Sequence, residues 1–251
     1  YHFFKSQYIK EMPKRKNTSG DRVDPTSSSH INKAYIGIRQ MLFHKEIGSG
    51  QKIACRDLAN RLGMSPTPVV QALKWLEFQG LVRHEPERGY YTEPFSLEEV
   101  EEIYELRELV EVSLLPETIQ RLDQEGIQRL QTALDAHLSA AREVYLNGRL
   151  ITDMEFHLTL ASLSGRNLHQ RMLRNLFDLL YLKYRGSFLS VRPMEYVDSE
   201  HRKIFDSVVS RDLHKSQEAL SEHISGIKRD VLMVLRRMVE SFIVDTEEIT
   251  K

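Results

Sequence analysis

The sequence predicts a mainly α-helical protein in which an N-terminal winged helix-turn-helix precedes an antiparallel bundle of about six helices. Three observations predict this fold. Apolar residues recur at three- and four-residue steps in three short segments between Ile31 and Gly80. Two short β-like segments follow, joined by a tip that contains proline and glycine. After Pro94 the helical period continues, and no segment alternates convincingly with period two.

The pattern divides the chain into four predicted segments. They are an N-terminal arm (1–29), a winged-helix domain (30–95), a helical domain (96–242) and a tail (243–251). The arm is polar and carries the basic run Lys14-Arg15-Lys16. We expect it to bury little apolar surface and to be flexible.

Local signals mark the three helices of the winged-helix domain. The first helical pattern begins at Ile31, and a short second one covers 56–62, with Gly63 as a candidate C-cap. Ser65 followed by Pro66 predicts the start of the third helix. A serine hydroxyl can cap free amides there, and proline suits the first helical position.

The wing and the bundle follow. Residues 81–83 and 90–92 predict two strands, with a turn at 85–89 as the wing tip. Ser96 and Glu99 form a capping box, which predicts the start of the first bundle helix. The predicted bundle helices are 96–122, 126–147, 150–164, 167–186, 195–210 and 213–242.

Composition excludes several classes of protein. Apolar residues make up 41% and charged residues 28% of the chain, which is typical of a globular protein. No apolar run approaches the roughly 18–20 residues that a membrane span needs. The single cysteine, Cys55, excludes an internal disulfide and fits a reducing compartment. We therefore expect a cytoplasmic protein without a membrane partner.

Charge is distributed unevenly along the chain. Residues 1–30 and 31–95 each carry a net charge of +3, whereas residues 96–251 carry −7. This asymmetry favours a polyanion such as nucleic acid as the partner of the N-terminal part.

The passages RDLA (56–59), LGMSPTPVVQAL (62–73), LEFQGLV (76–82) and RG (88–89) resemble the winged helix of the GntR family. The resemblance implies that the third helix lies in the major groove of double-stranded operator DNA. It also implies that Arg56 contacts DNA and that Arg88 reaches the minor groove. Gln71, on the outward face, suits the edge of adenine. The candidate DNA contacts are Arg56, Ser65, Thr67, Gln71, Lys74 and Arg88.

Two positions depart from the family pattern. Pro66 and Val70 stand where many relatives carry arginines that contact DNA. Losing each contact weakens binding to a specific site by about 1–3 kcal/mol. We expect either a different target sequence or an affinity that depends on the basic arm. The alternative is a winged helix that binds protein instead.

Four residues in the helical part predict a metal site. Asp153 and His157 are four residues apart, which puts them on one helix face. His201 and His223 lie on later predicted helices, each flanked by apolar residues at core spacing. Buried together, these groups would carry a large desolvation penalty, which a divalent ion between them would remove.

The stretch from about Ser96 to Met238 resembles the FCD effector-binding domain of the FadR-type branch of the GntR family. The shared features are the Asp-x-x-x-His pair, two later histidines, Glu105-Leu106-Arg107, and the run Ser164-Gly165-Arg166-Asn167. Gln170 departs from a leucine in many relatives. The resemblance implies that Asp153, His157, His201 and His223 hold the metal. Three imidazoles and one carboxylate suit zinc or nickel.

A small organic acid is the expected effector. Four protein ligands on a six-coordinate ion leave two positions for it. Arg107 would hold its carboxylate as a bidentate fork, and Asn167 is a second candidate contact. Arg107 has an alternative role as an ion-pair partner of Glu108 or Glu111 on its own helix.

The same residues also allow other functions. A metal-dependent enzyme and a purely structural metal are the alternatives, but the sequence has no His-Glu-x-x-His, Gly-rich phosphate loop or nucleophile elbow. Two-fold operators favour a homodimer. The remaining histidines are predicted to be surface or packing residues: His2, His30, His44, His84, His137, His169 and His214.

Overall fold

The computed structural model describes residues 25–44, 46–93, 96–140, 146–183 and 193–249. The chain divides into two compact units, Tyr1–Phe95 and Ser96–Lys251. Most of the predicted arm, including its basic run, lies outside the described residues.

The first unit is a three-helix winged helix. Its helices are α1 (Pro25–Phe43), α2 (Cys55–Leu62) and α3 (Pro66–Phe78). α1 begins six residues before the predicted start, inside the segment assigned to the arm. The prediction missed these residues because the first turns of the helix are polar and show no apolar periodicity. The core forms where α1 packs on α3, and these residues are buried in it: Ala34, Ile38, Leu42, Val69, Ala72, Leu73 and Leu76.

The turn between α2 and α3 follows local sequence signals, with one correction. Gly63 has φ 64°, the left-handed C-cap conformation that glycine adopts without strain. Ser65 is the N-cap residue and Pro66 the first residue of α3, but the Ser65 hydroxyl makes no capping hydrogen bond. An N-cap side chain bonds the amide of the second or third helical residue. The third is Pro68, which has no N–H to offer.

The wing sheet contains one more strand than predicted. β1 (Lys52–Ile53) pairs with β3 (Gly89–Thr92), which also pairs with β2 (Val82–Glu85), and both pairings are antiparallel. A two-residue strand is too short to produce an alternating pattern. Its pairing partner across the sheet defines it instead.

The second unit contains six helices within its described residues, as the sequence predicts. They are α4 (Leu97–Arg121), α5 (Gln124–Ala140), α6 (Leu146–Leu163), α7 (Asn167–Asp178), α8 (Met194–Val209) and α9 (Leu213–Ile249). α4 starts as predicted, since the Ser96 hydroxyl accepts a hydrogen bond from the Glu99 amide (3.2 Å). The helix α4 packs against α9, α6 and α7 and so lies at the centre of the bundle.

Two predicted helix boundaries are wrong, and a third helix changes type before its predicted end at 186, which lies outside the described residues. The break expected near Gly148 is absent, because this glycine lies in the first turn of α6, where a missing side chain matters little. α7 changes into a π-helical turn at Leu179–Lys183. α9 continues through the predicted tail to Ile249, since no glycine or proline follows Gly226 to end it. No described helix is long and apolar enough to cross a membrane.

Candidate functional site

The four residues predicted to bind metal meet at one point inside the bundle. Asp153 and His157 project from one face of α6, His201 comes from α8 and His223 from α9. All four are buried, and their ligand atoms lie within 4.8 Å of one another. Leu160, Ile204 and other apolar residues of the same helices are also buried, so helical packing carries the four polar groups inward.

The distances at this cluster suit a shared cation. His157 Nε2 is 3.3 Å from His223 Nε2, and Asp153 Oδ1 is 3.2 Å from His201 Nε2 and 4.0 Å from His157 Nε2. Two nitrogens bound to one first-row ion at about 2.0–2.1 Å are roughly 3–3.4 Å apart. The spacing of the two imidazole nitrogens falls in that range.

The second nitrogen of each imidazole fixes its tautomer. His157 Nδ1 donates to Glu111 Oε2 (2.6 Å), and His201 Nδ1 donates to the carbonyl of Val197 (2.9 Å). His223 Nδ1 donates to Glu200 Oε2 (2.9 Å). These partners are acceptors, so the proton of each neutral ring sits on Nδ1 and the lone pair on Nε2.

The charges of the surrounding groups agree with this assignment. Burial favours a higher pKa for Glu111, but His157 and Arg107 outweigh it and lower that pKa, so Glu111 is a carboxylate. Burial, followed by the proximity of His201, lowers the pKa of His223 to about 4, which keeps its Nε2 unprotonated at neutral pH.

This arrangement fits a divalent metal ion. Three lone pairs and a carboxylate oxygen face one another, and His201 Nε2 has no hydrogen-bond partner among the described residues. Lone pairs that face each other in a buried site repel unless a cation lies between them. Three imidazoles and a carboxylate are ligands that zinc and nickel both accept.

Glu111 is the residue of this site that the sequence analysis missed as a metal-site partner. Its Oε1 accepts a hydrogen bond from Arg107 Nε (2.9 Å), while its other oxygen accepts from His157. The Arg107–Glu111 ion pair predicted as an alternative therefore exists. The spacing of four residues signals that pair, but nothing local signals the contact with His157.

Arg107 nevertheless keeps free hydrogen-bonding capacity beside the cluster. It is buried, its guanidinium lies 4.2 Å from the centroid of the Phe177 ring, and its Nη2 has no hydrogen-bond partner among the described residues. Burial acts to lower the pKa of Arg107, but Glu111 and nearby tyrosines outweigh it and raise it, so the group is a cation.

The π-helical turn adds another residue that the sequence analysis did not identify. Tyr181 lies in this turn, and its hydroxyl donates to Asp153 Oδ2 (3.1 Å). A π-turn shifts the register of a helix by one residue and often occurs at functional sites. Periodicity analysis of the sequence assumes a regular helix and cannot anticipate this shift.

Two further residues for which the sequence made predictions are Asn167, a candidate effector contact, and His137, a candidate surface or packing residue. Asn167 is exposed at the first residue of α7 and does not join the buried cluster, so its effector role stays a prediction. His137, assigned to surface or packing, is fully buried on α5, and its ring lies against that of His201 with centroids 4.1 Å apart.

The candidate DNA contacts form an exposed set on the winged helix. Val70 is half-buried, whereas every candidate is exposed: Arg56, Ser65, Thr67, Gln71, Lys74 and Arg88. Thr67, Gln71 and Lys74 follow one face of α3 opposite its buried residues. This face is available to enter a major groove.

Comparisons with known proteins agree with both units. Residues 31–91 match the family described as bacterial regulatory proteins, gntR family, and residues 102–226 match the FCD domain. A transcriptional regulator from the TAR-I ttuE-ttuC' intergenic region of Agrobacterium vitis is 31% identical over 151 residues, which span 59% of this chain and 87% of the relative. The regulator YdhC of Bacillus subtilis is 25% identical over 195 residues, 76% of this chain and 84% of the relative.

A solved structure shares the fold. The Escherichia coli protein McbR/YncC superposes with a TM-score of 0.69 at 17% identity, covering 86% of this chain and all (100%) of that one.

Proposed function

The chain belongs to the GntR family of bacterial transcription regulators, in the FadR-type branch with an FCD domain, and from this premise we propose that a small organic acid controls its affinity for operator DNA from a divalent metal site in the helical unit. The family and the relatives are transcription regulators, so DNA binding rather than catalysis is the activity of this protein. The proposal places it in the cytoplasm, where operator DNA is found.

One observation carries the metal part of the proposal. The Nε2 atoms of His157 and His223 are 3.3 Å apart, and an acceptor bound to each Nδ1 turns both lone pairs inward. Asp153, His157, His201 and His223 would hold zinc or nickel. When bound, the metal supplies coordination positions for a carboxylate.

Arg107 is the proposed effector-binding residue of the chain. Its Nε is committed to Glu111, whereas its Nη2 is buried and has no hydrogen-bond partner among the described residues. An organic acid beside the metal would supply the missing acceptor. The contact would pull on α4, whose Glu111 also holds His157, so that effector, metal and helix position are coupled.

The DNA part rests on the exposed face of α3 together with Arg56 and the wing residue Arg88. One recognition helix covers only part of a two-fold operator, so we propose a homodimer. Leu106 and Leu109, exposed on α4 at 47% and 68%, are apolar residues that a subunit contact would cover.

The regulatory proposal predicts the behaviour of His201→Ala. We expect the variant to lose the metal, and its operator affinity to stop responding to organic acids, because its site lacks one of four ligands. DNA selected from a random library by the metal-loaded protein provides the operator, and fluorescence anisotropy with and without a panel of acids measures the response.

His214→Ala is the matched control, because His214 is exposed and lies outside the cluster. It should respond as the wild type does. A full effector response in metal-free His201→Ala would refute the coupling. A metal that binds without any acid response would favour the structural-metal alternative.

The DNA-reading face predicts a second result. Gln71→Ala should weaken binding to the selected site by about 1–3 kcal/mol and relax its sequence preference at one base pair. Lys74→Ala should weaken binding to all sequences more evenly and reduce its salt dependence, if Lys74 contacts phosphate. Anisotropy titrations at several salt concentrations measure both. Unchanged binding by both variants would favour the protein-interaction alternative.

A further inference from the structure

His137 is a buried polar side chain that the proposed function does not use. It lies on α5 and has no exposed surface. Neither Nδ1 nor Nε2 has a hydrogen-bond partner among the described residues. The nearest carboxylate oxygen, Asp198 Oδ1, is 3.9 Å from Nε2 and accepts a hydrogen bond from Arg149 instead (2.7 Å).

Such a ring weakens the fold that contains it. A buried nitrogen without a partner loses its bonds to water and gains nothing in return. Leucine occupies a similar volume and would fill the position without this penalty. Residues that reduce stability in this way are typical of binding sites, where a ligand supplies the missing partner.

The position of the ring identifies the binding site. The His137 ring lies against that of His201, tilted by 31°, and His201 Nε2 is one of the atoms that face the proposed metal position. His137 is therefore part of the wall around that position, contributed by α5. Arg107 on α4 supplies a second buried group with an unpaired donor beside the same cluster, since Glu111 bonds both Arg107 and His157.

We propose that His137 contacts the effector and selects an acid that carries hydroxyl groups, an inference that rests on the proposed function. A neutral imidazole has one N–H donor and one acceptor nitrogen. An ionised carboxylate offers only acceptors, so it can bond the N–H of the ring but not its acceptor nitrogen. A hydroxyl group can donate to the acceptor nitrogen, and a second oxygen of the same acid can accept from the N–H, while a carboxylate binds Arg107 and the metal.

Paired ligands test this selection. The probes are L-malate with succinate, and D-gluconate with hexanoate, where each pair differs in hydroxyl groups. Isothermal titration of the metal-loaded full chain should show about tenfold tighter binding of a hydroxylated member than of its partner. In His137→Leu we expect most of this ratio to disappear, through weaker binding of the hydroxy acid alone.

The change in the ratio is the informative quantity, because a hydroxyl that chelates the metal favours the hydroxy acid in both proteins. An unchanged ratio in His137→Leu overturns the inference and leaves the proposed function intact. If the wild type binds none of the four acids and its operator affinity ignores them, the effector part of the proposed function fails, and the inference fails with it.

Two measurements without any acid complete the test. Metal-loaded His137→Leu should melt at or above the wild-type temperature, and it should retain its full metal content. A lower melting temperature would mean that the ring has structural partners such as internal water, and loss of metal would mean that it only positions His201. Either result overturns the inference. His214→Leu, at an exposed histidine, should match the wild type throughout.

Discussion

Removal of the proposed metal by a chelator should lower the melting temperature of the helical unit by roughly 5–15 °C. A ligand that binds only the folded state at 100 to 1,000 times its Kd stabilises it by about 3–4 kcal/mol. Without the ion, the facing lone pairs of His157 and His223 add repulsion in a buried site. Differential scanning calorimetry before and after dialysis against chelator, and after return of zinc or nickel, measures the effect.

The control for this prediction is His157→Ala, which lacks one ligand. Its melting temperature should be low from the start and respond little to chelator or added metal. A wild-type protein that melts at the same temperature after complete metal removal would show that the cluster is stable without a cation.

Substitution of Glu111 by leucine should lower the free energy of unfolding by about 3–5 kcal/mol, because it leaves a buried cation without its counter-charge. Arg107 and Glu111 are both almost fully buried, so water cannot replace the lost partner. His157 Nδ1 also loses its acceptor. Loss of such a partner typically weakens metal binding by about 10- to 100-fold.

Urea unfolding and competitive metal titration measure the two effects of Glu111→Leu. Glu105→Leu is the matched control on the same helix, because Glu105 is 55% exposed and pairs with Lys228 near the surface. Exposed ion pairs contribute about 0–1 kcal/mol. Equal effects of the two substitutions, or unchanged metal affinity in Glu111→Leu, would contradict the role of Glu111.

Features encoded by neighbouring residues were predicted from the sequence. The number of bundle helices follows from apolar periodicity, and the starts of α3 and α4 follow from Ser65-Pro66 and Ser96. The Asp153–His157 pair places two polar groups on one helix face, whatever the rest of the chain does. His201 and His223 join them because the apolar residues beside them must also face the core.

Features defined by a partner far along the chain were not predicted. β1 exists because Lys52 and Ile53 pair with β3, nearly forty residues later. Glu111 meets His157 across 46 residues, and Tyr181 reaches Asp153 through a π-turn. None of these contacts produces a periodic pattern in the sequence, because each depends on how two elements pack against each other.

The histidines show the same difference between features set by local sequence and features set by packing, and His137 is the example. By spacing alone it looks like the six other histidines outside the predicted cluster, and the sequence assigned all seven to surface or packing positions. Packing of α5 against α8 brings it onto His201 and removes it from water. The sequence by itself determined the helices, the winged helix and the four residues of the buried Asp-His cluster, because these depend on local period and polarity. Only the tertiary structure decided which other buried polar groups surround them, because burial and hydrogen bonding are properties of the packed chain.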